Sequence, residues 1–314
     1  MNVTETFLLA ATMSAPAFFD LLGLAAFGVI FVAVVNELTA SSNGKVFFDK
    51  YAQQSATMGL LLMTVSLAAL TAAGFVAVSR MPRLAQWLVD PASPFIHFYA
   101  ATGLGLVLGI PYVLTWRKMR SAKGVHMAFG FGAGLALLAA VSCCVAALYM
   151  LGTAAGGDAM TFTAGRLPLA ADSLLWPMAA QYVLLAIGSG AGLSLVYLVL
   201  RRNKDDFGRD YYKFSLPLAA KWAAFGVLLH LMCQGWLYAL LPQEARTLVM
   251  NTGMVCAWGS AVLAGLICCG LWALLSGCKA PMRMKWIAFV GAALLWVMLS
   301  LNITVSMGLL SMLQ

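Results

Sequence analysis

Charged residues are scarce in this sequence, at 10% of 314 residues, whereas hydrophobic residues make up 62%. Soluble domains usually carry about 25% charged residues. The longest polar stretches, residues 152–173 and 201–214, are too short to bury a hydrophobic core of their own. The composition therefore excludes a separate soluble domain and predicts one transmembrane domain over residues 1–314.

The sequence also lacks the motifs of several chemistries. Its seven cysteines form no CxxC or CxxCH pattern, so c-type haem, iron–sulfur and structural zinc sites have no ligand set. It has no HExxH motif, no P-loop and no Ser-His-Asp arrangement. Hydrolysis and nucleotide-driven functions are unsupported, and any redox centres are expected to belong mainly to partner subunits.

Eight long apolar runs are the main feature that is present. A helix needs about 20 apolar residues to cross the hydrocarbon core of a membrane, and every run is long enough. We predict an all-α bundle of eight transmembrane helices in a bacterial cytoplasmic (inner) membrane. The runs fall at residues 17–40, 53–79, 94–116, 125–151, 174–200, 215–241, 247–275 and 286–311.

Lysine and arginine are distributed unequally between the two sides of the predicted bundle. Fourteen lie in one set of alternate hinges and four in the other. The positive-inside rule then places the first set in the cytoplasm and both termini on the outer side. These basic residues account for the net charge of +8 as topology signals and contacts with anionic lipid, and no nucleic-acid partner is expected.

His230 is the most informative polar residue within a predicted span. Counting about 1.5 Å per residue along the sixth run places it in the outer half of the membrane. Gln234 follows one turn later on the same helix face. Together the two side chains could form hydrogen bonds to a quinone, and the histidine by itself could coordinate the iron of a b-type haem. A buried histidine that bonds a neighbouring helix is the third interpretation.

Several other polar residues lie near the ends of predicted spans. Asp20 and His97 are near the outer ends of the first and third spans and are candidates for a proton exit, and His97 is also a candidate haem ligand. Gln181, Asn251 and Asn302 share the outer half with His230, which predicts a polar pocket there. Glu37 could pair with Lys221 between the first and sixth spans, or Lys221 could extend to the lipid headgroups.

Weak motifs in the first five or six spans resemble subunit I, the quinol-oxidising subunit, of the cytochrome bd oxidases. The resemblance implies a helical membrane subunit that acts on quinone. The haem ligands of that family, a His in the first span, a Glu in the third and a His in the fifth, are absent, as is its long external loop. The motifs are residues 47–54 (FFDKYAQQ), 70–74 (LTAAG), 188–190 (GSG) and 201–202 (RR).

The eight-span layout with both termini outside is also similar to the membrane anchors of DMSO and polysulfide reductases, which bind quinone without haem. Together these features predict a subunit of a respiratory electron-transfer complex that exchanges electrons with quinone and anchors cytochrome or iron–sulfur partners. Two alternatives stay open. A small-solute or ion permease would require internal symmetry, and the sequence shows no evident repeat. A structural scaffold without any cofactor is the other.

Overall fold

The computed structural model describes residues 2–80, 82–91, 93–154, 170, 172–205 and 207–312. Most of the polar stretch at 152–173 lies outside them. Eleven α-helices and two short 3-10 turns, and no strands, make up the regular structure of the described part. The helices are α1 (Val3–Thr12), α2 (Ser14–Asn43), α3 (Val46–Arg80), α4 (Pro82–Val89), α5 (Phe95–Leu114), α6 (Lys123–Ala154), α7 (Leu175–Arg201), α8 (Arg209–Leu240), α9 (Gln243–Met250), α10 (Met254–Gly277) and α11 (Trp286–Met312).

Eight of these helices are long and apolar enough to span a membrane. They are α2, α3, α5, α6, α7, α8, α10 and α11, and they confirm the predicted all-α fold with eight spans. Four short hinges, at residues 44–45, 115–122, 202–208 and 278–285, connect consecutive spans at one end of the molecule. We call it the basic end, since the lysine-rich and arginine-rich hinges lie there; the short helices α1, α4 and α9 belong to the opposite end.

The predicted seventh span begins seven residues too early. Residues 247–250 belong to α9, and α10 starts only at Met254. The chain turns between them, where the Thr252 amide donates to the Val249 carbonyl at 3.3 Å. Gly253 packs closely against the start of α1: a Cβ added at this position would be only 2.5 Å from the Asn2 carbonyl oxygen. The break was missed because the residues on both sides of it belong to one continuous apolar run.

The eight spans form two four-helix bundles. The first contains α2, α3, α5 and α6, the second contains α7, α8, α10 and α11, and the main contact between them is α2 against α7. The helices of the first bundle start at residues 14, 46, 95 and 123, and those of the second at 175, 209, 254 and 286. Helices in corresponding positions of the two bundles run in the same direction, because each bundle contains an even number of spans that alternate in direction.

Glycines allow the two bundles to approach closely along α2 and α7. A Cβ on Gly28 would collide with the carbonyl group of Ala186. On the opposite helix, a Cβ on Gly190 would lie 2.7 Å from the Val29 nitrogen and 3.0 Å from the Ala25 oxygen. In lipid, helix association depends on such close packing because apolar burial gives no driving force. This seam therefore fixes how the bundles meet.

Candidate functional site

His230 lies in the interior of the second bundle with only 1% of its surface exposed. Its Nδ1 atom is 2.9 Å from the backbone carbonyl oxygen of Gln181. A carbonyl can only accept, so Nδ1 carries the ring hydrogen and Nε2 is an acceptor. Gln234 and Asn302 donate to Nε2 from their amide nitrogens, at 2.9 and 3.2 Å. These bonds define a neutral imidazole.

Two further hydrogen bonds complete this outer cluster, which consists of His230, Gln234, Asn302 and Trp258. The Gln234 amide nitrogen also donates to Asn302 Oδ1 at 2.9 Å. The Trp258 indole donates to Gln234 Oε1, also at 2.9 Å. Together with the carbonyl group of Gln181, the cluster joins all four helices of the second bundle.

The predicted polar pocket around His230 is formed only in part. His230, Gln234 and Asn302 meet as expected, and Gln181 contributes its backbone. Asn251 is instead exposed in the turn before α10. Trp258 was not predicted, because a tryptophan within an apolar run looks like a lipid-facing residue. The sequence did contain one clue to its role, because a partly buried indole N–H usually needs a hydrogen-bond acceptor.

The structure does not bring His97 or Asp20 to the outer cluster. His97 is exposed at the start of α5, and Asp20 is exposed on α2; both helices belong to the first bundle. Neither side chain has a hydrogen bond or ion pair among the described residues. Their roles in proton exit stay predictions.

The hydrogen bonds around His230 leave neither ring nitrogen free to coordinate a haem iron. Its Nε2 atom already accepts two amide hydrogen bonds, and Nδ1 is committed to Gln181. A haem iron would have to displace both amides. The other candidate ligand, His97, lies in the first bundle, so the two histidines cannot serve as an opposed pair at His230.

A second buried polar cluster lies in the first bundle, near the basic end. Glu37 on α2 and His126 on α6 are each 2% exposed, and Oε1 of Glu37 is 2.8 Å from Nδ1 of His126. His126 Nε2 donates to the Tyr112 carbonyl at 2.8 Å. Tyr112 and Trp116 cover the imidazole, with ring centroids 4.6 and 4.9 Å away. We call Glu37, His126 and Tyr112 the inner cluster.

Of the two alternatives for Lys221, the structure does not form the pair with Glu37 and agrees with a side chain that extends away from the bundle. Lys221 is exposed on α8, whereas Glu37 pairs with His126. The physical reason is the packing, because α2 contacts α3, α6 and α7 extensively and α8 is not among its close neighbours. The sequence could have indicated this pairing, because Glu37 and His126 both lie within about two helical turns of hinges at the same end of the bundle and so at similar depth in the membrane.

The inner cluster has two polar atoms that the protein does not satisfy. Glu37 Oε2 and the Tyr112 hydroxyl are both buried without a hydrogen-bond partner. The Tyr112 hydroxyl lies within reach of a hydrogen bond to the carboxylate if either side chain shifts slightly, but in the structure neither of these two atoms completes one. Such groups are rare in folded proteins and usually indicate a bound water or ligand.

At the basic end, the hinge between α7 and α8 is held by Asp205. Arg201 donates two hydrogen bonds to its carboxylate, at 2.9 and 2.7 Å, and Gln54 donates a third at 3.1 Å. The hydrogen bonds from Arg201 lower the pKa of Asp205 below its ordinary value. Because Gln54 is on α3, this contact also connects the two bundles.

The similarity of this chain to known proteins lies in its fold. Neither a protein-family model nor a curated protein matches the sequence. Among solved structures, the chain is similar to a chain of the bd oxidase from Geobacillus thermodenitrificans, with a TM-score of 0.73 and 11% identity. The match covers 99% of this chain and 87% of that chain. The protein thus has the fold of a bd oxidase chain, which confirms the expected resemblance to a bd oxidase subunit; the likeness to subunit I in particular stays a prediction.

Proposed function

We propose that this protein is an integral membrane subunit of a respiratory electron-transfer complex in the bacterial cytoplasmic membrane. The observation that carries the proposal is the likeness of its whole fold to a chain of bd oxidase. The sequence has no ligand set for c-type haem or iron–sulfur clusters. Electrons would therefore pass to or from cytochrome or iron–sulfur subunits that the chain anchors.

Quinone would bind at the outer cluster. His230 Nε2 is an acceptor, so a quinol hydroxyl could donate to it in place of the Asn302 amide, whose bond is the longer of the two at 3.2 Å. A quinone carbonyl could instead accept from the amide that was released. Asp20 and His97 would carry protons to the outer side. The buried environment would strengthen either hydrogen bond, because competing water is excluded.

The test is quinol-dependent reduction of the partner subunits in the complex purified from native membranes. His230→Gln keeps a polar side chain but removes the imidazole acceptor, and we expect turnover to fall by about tenfold or more. Trp236→Phe, on the lipid-exposed side of the same helix, is the matched control and should retain turnover. Equal turnover of the two variants would contradict a role of His230 with quinone.

A structural scaffold is the second candidate, and one observation favours it. Both ring nitrogens of His230 are already bonded to the protein, so the outer cluster can serve simply to hold four helices together. In that case His230→Gln lowers the yield of assembled complex but leaves turnover per assembled complex unchanged. Measuring the two quantities separately distinguishes the candidates.

A permease is favoured only by the grouping of the eight spans into two four-helix bundles, because many transporters are built from two related halves. A permease also needs a polar path across the membrane. The outer and inner clusters belong to different bundles, and a third group of buried polar side chains, Tyr51 with Ser194 and Gln54 with Tyr211, lies where α3 meets α7 and α8. Solute uptake into vesicles that contain the purified chain tests this candidate.

A further inference from the structure

The inner cluster shares one proton between two side chains. The Tyr112 carbonyl can only accept, so His126 Nε2 carries a hydrogen. The short contact between His126 Nδ1 and Glu37 Oε1, at 2.8 Å, then needs one more hydrogen. It belongs to the imidazolium or to the carboxylic acid, and the pair is neutral in both cases. Moving this proton across the contact changes no net charge, although the ion-pair form is the more costly of the two to bury.

The inner cluster has a polar neighbourhood toward the basic end. Lys123 lies three residues before His126 on α6 and forms an ion pair with Asp49 of α3 at 3.3 Å. These side chains are 38% and 22% exposed, so water reaches them. Asp49 is close enough to interact electrostatically with both His126 and Tyr112. A solvent-accessible ion pair therefore lies near the buried pair, on the side of the basic end.

We propose that Glu37, His126 and Tyr112 form a proton-exchange site, in which a water molecule bound between Glu37 Oε2 and the Tyr112 hydroxyl connects the buried pair with the medium at the basic end. The water would donate to Oε2 and accept from Tyr112, which satisfies both unpartnered atoms. Exchange replaces the shared proton by one from water. The pair keeps its charge and no oxidant or reductant is needed.

The chain provides an internal reference for this proposal. It has three histidines, and His230 is as deeply buried as His126. The Nδ1 hydrogen of His230, however, is held by a carbonyl within a cluster whose buried side chains bond one another. If burial alone governed exchange, the ring hydrogens of the two histidines would exchange with solvent at similar rates.

The experiment follows hydrogen–deuterium exchange by NMR on the full chain, labelled with 15N-histidine and reconstituted in lipid nanodiscs. We expect the shared hydrogen at His126 Nδ1 to exchange at least about tenfold faster than the Nδ1 hydrogen of His230. His126→Gln assigns the signal. The measurement needs neither quinone nor partner subunits, so its outcome is separate from that of the proposed function.

Tyr112→Phe keeps the aromatic cover of His126 and removes only the hydroxyl that would hold the water. We expect it to slow exchange at His126 by about tenfold, the effect of losing one hydrogen bond. Tyr51→Phe is the matched control, since Tyr51 is equally buried and its hydroxyl bonds Ser194 at 3.0 Å. Exchange at His126 no faster than at His230, or equal effects of the two tyrosine variants, would overturn the proposal.

Discussion

His230 donates a hydrogen bond from Nδ1 to the backbone carbonyl of Gln181, over 2.9 Å. This contact joins α8 to α7 and sets the chemistry of the other ring nitrogen. Nε2 must be the acceptor, and the amides of Gln234 and Asn302 both point their hydrogens at it. The backbone of one helix thereby determines which side chains can assemble on another.

The two buried histidines should differ in tautomer. We expect His230 to be neutral with its hydrogen on Nδ1, and His126 to carry a hydrogen on Nε2, because each faces a carbonyl at that atom. The 15N chemical shifts of the ring nitrogens distinguish these states. A hydrogen on Nε2 of His230 would contradict the arrangement of the outer cluster.

Asn302→Leu should destabilise the second bundle. The substitution removes one donor to His230 Nε2 and the acceptor of a Gln234 amide hydrogen. Because buried polar groups are left without partners, we expect a loss of about 1–3 kcal/mol. The measurement is the free energy of unfolding in mixed micelles. Asn251→Ala, at an exposed amide, should change it by no more than about 0.5 kcal/mol.

Glu37 and His126 should depend strongly on each other. His126→Leu leaves a buried carboxyl group without its partner, and breaking a buried pair in this way costs about 3–5 kcal/mol. The double variant Glu37→Leu/His126→Leu should recover part of that loss, because the unpaired carboxyl group is gone and only the Tyr112 carbonyl still lacks its donor. The free energies of unfolding of the single and double variants test this coupling. Additive losses would show that the two residues act independently.

Gly28→Ala should disrupt the seam between the bundles. Its Cβ would meet the carbonyl group of Ala186, and backbone cannot move aside as a flexible side chain can. Overpacking of this kind costs about 1–3 kcal/mol, which a lower thermal unfolding temperature of the purified chain would report. Gly103→Ala is the matched control on α5, where an added Cβ has nothing within 4 Å, and it should cause no loss.

The Asp205 contact should make stability depend on pH in acid. The pKa of Asp205 in the folded protein lies below its ordinary value of 3.8 because of Arg201. Its contribution is therefore present above that value and is lost as the pH falls through the lower, folded pKa. Asp205→Asn should flatten the acid side of the curve of unfolding temperature against pH. Asp210→Asn, at an exposed carboxyl group on α8, should leave the slope unchanged.

The number of spans and the all-α fold could be predicted because both depend on local properties of the chain. A run such as 286–311 must be helical to satisfy its backbone in lipid, whatever surrounds it. The position of His230 within its span and the shared helix face with Gln234 followed from helical geometry alone. The start of α10 could not, because the turn at 251–253 is set by a contact with α1.

By itself, the sequence determined how many helices cross the membrane and which of them carry costly polar groups. Only the tertiary structure decided which groups meet: Glu37 with His126 instead of Lys221, and Trp258 with Gln234. The reason is that helix pairing in lipid depends on close contacts between distant residues, such as Gly28 against Ala186. Neither hydropathy nor spacing along the chain records those contacts.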